Sequence, residues 1–205
     1  VYMPYIGTQP NDVKKNTGIY TPSDILELSK QGHWGGSLKF IAESNHSGDV
    51  NNIEFNAIKE TEYDVHVLQI ENFKFETSIG RIGIQLREAG TYETAGVYHY
   101  AVQYIESTGG NGVQKQNNYE YMQLEYQLST AGTMNAYVYL YNLGNSSKYS
   151  FMSFQESMQG SSYFSQRYGA GSLPQASAVD GIRIMRSGSN NFTNFNIKLY
   201  GVKQV

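Results

Sequence analysis

The sequence predicts an all-β fold, an antiparallel β-sandwich of jelly-roll type with one short N-terminal helix. Three observations indicate this fold. From residue 37 onward, apolar and polar residues alternate, which places successive side chains on opposite faces of strands. Clusters of Gly, Asn, Ser and Asp separate the alternating segments, as hairpin loops require. The 205 residues include 18 Tyr and 21 Gly, and tyrosine suits half-buried strands.

Residues 1–20 are predicted to form an extended N-terminal arm. Pro4, Gly7 and Pro10 interrupt any regular period in this segment. Apolar residues such as Tyr5 make the segment more hydrophobic than an ordinary tail. We therefore expect the arm either to be loose or to lie on a neighbouring subunit.

Residues 21–31 carry a helix signal. Thr21 suits the N-cap, Pro22 suits the first helical position, and Gly32 follows as a terminator. The helix is short, and we expect it to close one end of the sandwich. Residues 21–205 are predicted to form a single β-sandwich domain, because sandwiches of this size commonly remain one domain.

Ten or eleven strands are predicted after the helix, which favours a sandwich or jelly roll. Residues 45–49 are predicted to form a turn between the first two strands. Residues 169–180, which include Gly171 and Pro174, are predicted to form a longer loop, and such loops often carry binding sites. The predicted strands are 37–43, 50–55, 63–71, 81–88, 97–105, 119–128, 136–143, 148–155, 161–168, 181–186 and 192–201.

The composition argues against several classes of function. The formal net charge is -3, from 15 basic and 18 acidic residues, so neither nucleic acid nor an anionic membrane surface is an expected partner. No apolar run approaches the roughly 18–20 residues that span a bilayer. The chain has no cysteine, which excludes disulfides, thiolate metal sites and cysteine nucleophiles.

Polar residues give no pattern that indicates catalysis. The four histidines do not lie at metal-ligand spacing. His66 shares an alternating face with Asp64, a pair that fits either half of a catalytic triad or, as we favour, a solvated or edge-strand pair. No serine lies in a G-x-S-x-G elbow. Asp49 and Asp180 fit turn stabilisation better than a calcium site. The sequence therefore predicts no enzyme, no cofactor and no metal site.

Aromatic residues are the candidates for contacts. Trp34, the single tryptophan, fits either the core, which we favour, or stacking on a sugar ring. Tyr137, Tyr139 and Tyr141 alternate along one predicted strand and share one face. That face fits a glycan-binding platform, a subunit interface or one side of an ordinary amphipathic sheet. Together with Tyr5 of the arm, these residues are the candidate interface or glycan contacts.

Short motifs along most of the chain resemble a known group of proteins. Residues 3–7 read Met-Pro-Tyr-Ile-Gly, and residues 63–87 contain one strand, a short link and a second alternating segment. The ending combines Gly-Ile-Arg-Ile at 181–184 with Ile-Lys-Leu-Tyr-Gly-Val-Lys at 197–203. Together these motifs resemble structural proteins of marine tailed bacteriophages, of the virion, tail-fibre-like or decoration type.

The resemblance implies a virion structural protein on the outside of the particle, either a fibre or knob or a capsid decoration. It implies no catalytic residues. The expected partners are further copies of the chain and other virion proteins. A trimer is a common assembly for virion parts of this kind. The alternative is a carbohydrate-binding domain of a host-receptor adhesin, with a host surface glycan as its ligand.

Overall fold

The computed structural model describes residues 21–23, 26, 27, 37–75, 80–128, 132–188 and 191–202. The chain divides into two units, Val1–Ser37 and Leu38–Val205. The predicted arm lies outside the described residues. Most of the predicted helix does too, and no helix bounds are established there. The helix and the domain boundary at residue 21 therefore stay predictions.

The described part of the second unit contains thirteen strands. They are β1 Leu38–Val50, β2 Asn52–Phe55, β3 Val65–Phe75, β4 Gly80–Glu88, β5 Thr91–Tyr92, β6 Tyr98–Glu106, β7 Asn111–Tyr119, β8 Met122–Leu128, β9 Thr133–Tyr141, β10 Tyr149–Gln159, β11 Phe164–Ala176, β12 Val179–Ser187 and β13 Phe192–Val202.

The strands form two antiparallel sheets. The larger sheet has the order β1-β13-β3-β9-β10-β11-β6-β7, and the smaller has the order β2-β12-β4-β5, with β8 also paired to β4. The all-β, antiparallel prediction is therefore confirmed. The jelly-roll topology stays a prediction, because β9, β10 and β11 follow one another as a simple meander in the larger sheet.

Both sheets contribute to one hydrophobic core, which gives a β-sandwich-like arrangement. Ile84 lies opposite Ile184 in the smaller sheet, and Leu68 lies opposite Val138 in the larger sheet. All four side chains are fully buried and belong to the same apolar cluster. The period-two alternation places these residues inward and leaves their strand neighbours on the outer faces.

The turn predicted at 45–49 is wrong, because β1 runs through it. β1 pairs with β13 from Leu38 opposite Val202 to Val50 opposite Phe192. Gly48 has a φ of 144° and lies in a register irregularity between Ser47 and Val50. A bulge therefore absorbs the turn-forming residues while the strand keeps its partner.

The long loop predicted at 169–180 is also wrong, because β11 continues to Ala176 and β12 begins at Val179. The glycines that indicated a loop allow close packing instead. A Cβ on Gly169 would lie 2.6 Å from the carbonyl oxygen of Ala101, and one on Gly171 would lie 2.8 Å from Cγ of Met122. Glycine in a strand often marks such a close approach.

The single strand predicted at 119–128 is two strands in different sheets. β7 ends at Tyr119 and pairs with β6 in the larger sheet, whereas β8 begins at Met122 and pairs with β4 in the smaller sheet. Asn118 has a φ of 57° just before the chain changes sheet. β7 begins at Asn111, so most of this strand lies in a segment where no strand was predicted.

Candidate functional site

The outer face of the larger sheet carries three of the predicted contact residues. Along β9, Val138 and Leu140 are buried in the core, while Tyr137 and Tyr139 are 56% and 43% exposed. Tyr141 is half-buried on the same side, and its ring stacks on that of Tyr139 with centroids 6.4 Å apart. The tyrosines therefore lie on the outer face.

Neighbouring strands extend this face into an apolar strip. The register places Tyr141 beside Phe151 of β10 and Val65 of β3, and Tyr139 beside Val67. The same two rows continue through β13 to β1. The apolar strip consists of Leu38, Phe40, Val65, Val67, Tyr139, Tyr141, Phe151, Tyr200 and Val202. These nine positions cross five strands without a charged residue.

The strip is ordered by contacts among its own side chains. Phe40 and Tyr200 meet edge to face with ring centroids 6.0 Å apart. Val67 is 4% exposed although it lies outside the core cluster between the sheets. In the register it lies between Tyr200 and Tyr139. We attribute its burial to these outer-face neighbours, so the strip is a packed surface.

The exposed part of the strip is large enough to form an interface. Five large apolar side chains here, counting Tyr149 beside Phe151 on β10, are between 43% and 58% exposed. At roughly 200 Å² for each side chain, these residues expose about 500 Å² together. Apolar patches of this size on soluble proteins commonly mark sites of interaction.

A third row on the same face alternates amides with tyrosines. Tyr137 lies opposite Gln69 of β3 and Gln155 of β10, and Gln155 lies opposite Tyr168 of β11. Tyr168, which is 43% exposed, lies opposite Gln103 of β6. We call Gln69, Tyr137, Gln155, Tyr168 and Gln103 the amide stripe. It crosses five neighbouring strands.

A cleft of about 350 Å³ lies at the β3 end of the amide stripe. It is present where the pairing of β3 with β9 shifts between Ile70 and Phe73, and Asn72 there has a φ of 53°. The backbone amide of Asn72 donates to Oδ1 of Asn135 at 3.0 Å. The cleft is lined by Gln69, Ile70, Glu71, Asn135, Ala136, Tyr137, Gln155 and Ser157.

One charged group borders the cleft. Gln69 donates through Nε2 to Oε1 of Glu71 at 2.6 Å, and both side chains are half-buried. This hydrogen bond holds the carboxylate at the edge of the cleft. The surrounding groups are amides, a serine hydroxyl and a tyrosine, so the site offers several donors and acceptors beside an exposed ring.

His66 has a packing role on the inner face. It is fully buried, and its Nε2 donates to the carbonyl oxygen of Ile58 at 2.8 Å. Burial lowers the pKa of His66 from 6.5, although the backbone hydrogen bond and the nearby carboxylates of Glu60 and Asp64 oppose the shift. Asp64 is exposed and precedes β3. The solvated or edge-strand pair predicted with Asp64 is therefore wrong, because the imidazole is buried and β3 lies between β13 and β9.

The outer face of the smaller sheet carries arginines whose partners are close. Nε of Arg87 donates to Oδ1 of Asp180 at 2.7 Å, and Oδ2 of Asp180 accepts from the backbone amide of Gly90 at 3.0 Å. The guanidinium of Arg183 lies 4.2 Å from the ring centroid of Tyr92. Burial raises the pKa of Tyr92 to about 12. We interpret this cluster as structural because it joins the β4–β5 turn to β12.

The predicted contact residues fall into two groups. Tyr5 and Trp34 lie outside the described residues, so their roles stay predictions. Tyr137, Tyr139 and Tyr141 share the outer face, but Tyr137 belongs to the amide stripe and the other two belong to the apolar strip. Sequence reasoning missed the residues that complete both surfaces. Alternation marks them as outward-facing, but only the strand order makes them neighbours.

Two classes of feature are not found in the part of the chain that the structure describes. Within residues 21–23, 26, 27, 37–75, 80–128, 132–188 and 191–202, no three His, Asp or Glu side chains converge to hold a metal ion. In that same part, no helix has both the length and the apolar character needed to cross a membrane.

Comparisons with known proteins do not assign a family. No protein-family model matches the chain, and neither a search of curated proteins nor one of solved structures returned a match.

Proposed function

We propose that this chain is a structural protein on the exterior of a bacteriophage particle, as a fibre or knob or a capsid decoration. In this role it assembles with copies of itself through the apolar strip and docks on other virion proteins. The observation that carries the proposal is the strip itself, an uncharged and partly aromatic surface that crosses five strands of the larger sheet. The phage-like motifs at both ends of the sequence supply the setting.

A second copy of the chain is the occupant that best suits the strip. The strip has no charge that would select an oppositely charged partner, and tyrosine and phenylalanine are enriched in protein interfaces. Two strips in contact would bury about 1,000 Å² in total, which reaches the lower limit for a specific interface. The sheet face also presents the same rows of rings to an identical neighbour.

Phe151→Ser tests this proposal, with Phe164→Ser as its matched control. Both phenylalanines lie on the outer face and are almost equally exposed, at 43% and 42%, but Phe164 lies at the far end of β11 outside the strip. Losing the roughly 85 Å² of apolar surface that Phe151 exposes, at about 25 cal/mol per Å², costs about 2 kcal/mol. We therefore expect Phe151→Ser to weaken association by roughly 30-fold.

Size-exclusion chromatography with light scattering measures the outcome. The proposal predicts an oligomer for the wild type and for Phe164→Ser, and dissociation of Phe151→Ser at the same concentration. A wild-type protein that stays monomeric at every concentration reached would contradict self-assembly. Equal dissociation of the two variants would contradict the assignment to the strip.

A second candidate function, recognition of a host-surface glycan, is favoured by a separate observation. The amide stripe combines exposed tyrosine rings, amide groups and a cleft, which is the chemistry that suits sugar rings and their hydroxyls. Strip and stripe occupy different rows of the sheet, so one protein can carry both functions. Wild-type binding to a glycan array that is lost in Tyr137→Ala would support this function.

A further inference from the structure

We infer that the amide stripe binds an extended, neutral, β-linked glycan that lies across the strands, with sugar rings on Tyr137 and Tyr168. This inference rests on the glycan recognition proposed above and specifies its ligand. The argument uses the direction of the stripe, its charge and the groups that it presents.

The register fixes the direction of the binding surface. Residues directly opposite each other in antiparallel strands form a row perpendicular to the strands, with neighbouring strands about 4.8 Å apart. Tyr137 on β9 and Tyr168 on β11 are separated by Gln155 on β10. Their positions are therefore about 9.6 Å apart. This separation is close to the length of a disaccharide unit in an extended β-1,4-linked chain, so sugars two positions apart would meet the two rings.

The groups between the rings suit sugar hydroxyls. Each glutamine side chain offers an amide that donates and a carbonyl that accepts, which matches hydroxyls that do both. Gln155 and Gln103 are exposed and alternate with the tyrosines along the row. A glycan along the stripe therefore meets an amide beside each ring.

The charge of the surface favours a neutral glycan. The five stripe residues carry no charge, and the cleft beside Tyr137 is bordered by the carboxylate of Glu71. The next residue of the row is Lys198, which lies opposite both Gln69 and Glu43 in the register. A uronic acid chain anchored in the cleft would place carboxylates against Glu71, whereas Lys198 lies one strand beyond the stripe and has Glu43 as its other neighbour in the register. A neutral chain avoids that repulsion.

The size of the cleft limits what it holds. A volume of about 350 Å³ is at the small end of ligand pockets, which suits one sugar ring with its substituent. The remaining contacts lie on the open face from Tyr137 to Gln103. The ligand is therefore expected to be a chain that is anchored in the cleft and extends over the sheet.

Titration calorimetry of the full chain with defined oligosaccharides tests the inference. The probes are cellohexaose and chitohexaose as neutral β-1,4-linked chains, cellobiose and chitobiose as their disaccharides, and an alginate hexamer as the anionic chain. We expect a neutral hexasaccharide to bind more tightly than its disaccharide. Tyr137→Ala and Tyr168→Ala should each weaken binding of the neutral hexasaccharide by about tenfold. Phe164→Ala is the control, because Phe164 is 42% exposed on the same sheet but lies outside both the amide stripe and the apolar strip.

The outcomes separate this inference from the functions on which it rests. Preference for alginate, or hexasaccharide binding that neither Tyr137→Ala nor Tyr168→Ala weakens, would overturn the inference while leaving glycan recognition in place. If no glycan on the array and no probe binds, both fail. Self-assembly is read independently from Phe151→Ser, which should keep the oligosaccharide affinity of the wild type.

Discussion

Gly83→Ala is expected to destabilise the sandwich strongly although it adds only one methyl group. Gly83 lies in β4, and the ring of Tyr121 covers it on the outer face of the smaller sheet. A Cβ at residue 83 would lie 2.1 Å from Cδ2 and 2.6 Å from Cγ of Tyr121. These atoms are near the root of the side chain, so a small rotation of the ring cannot relieve the overlap.

The cost follows from what Tyr121 loses when it is displaced. Its side chain is 1% exposed, and its ring meets Tyr119 edge to face at 4.8 Å. Exposing a buried aromatic ring costs about 2 kcal/mol, and losing the aromatic pair costs about 1 kcal/mol. The smaller conformational freedom of alanine in the unfolded chain returns about 0.5 kcal/mol. We therefore expect a loss of about 2.5 kcal/mol in the free energy of unfolding.

Urea unfolding followed by far-UV circular dichroism measures this loss, and two variants control it. Gly90 has a φ of 81° with no atom within 4 Å of an added Cβ, so Gly90→Ala reports backbone strain alone, about 1 kcal/mol. In a Tyr121→Ala background, Gly83→Ala should cost nothing or stabilise slightly. If it costs the same with and without the Tyr121 side chain, the steric reasoning is refuted.

Two further predictions concern buried and hydrogen-bonded groups. Because the pKa of His66 is lowered in the fold, the unfolded chain binds more protons below its ordinary value of 6.5. The free energy of unfolding should therefore fall as the pH drops below 6.5, until the pKa of His66 in the folded protein is reached. Urea midpoints measured across this pH range should fall less in His66→Gln than in the wild type. Asp180→Ala removes the acceptor of the Gly90 amide, so hydrogen exchange of that amide should accelerate, while the amide of Leu68 should still exchange slowly. Equal exchange rates at Gly90 in the wild type and the variant would contradict this hydrogen bond.

Local features of the sequence were sufficient to predict the class of fold. Alternation over 136–143 predicted a strand with three tyrosines on one side, and β9 shows that arrangement. The period-two pattern is a property of one strand, so it needs no knowledge of neighbours. The glycines near residue 170 led to a wrong prediction, a loop where β11 continues. The close contacts that explain Gly169 and Gly171 involve Ala101 and Met122, which are distant in sequence.

The two candidate surfaces depended on tertiary structure more than the individual strands did. Tyr137 could be identified from the sequence as an outward-facing aromatic residue, but nothing local relates it to Tyr168 or Gln103. Their alignment requires the order β9-β10-β11-β6 and its register.

By itself, the sequence determined that the chain forms antiparallel strands with tyrosines on one face, because side-chain alternation and turn chemistry act over a few residues. Only the tertiary structure decided that this face divides into an apolar strip and an amide stripe. Each surface is built from residues aligned across several strands, and strand order is set by how the whole set of apolar faces is buried together.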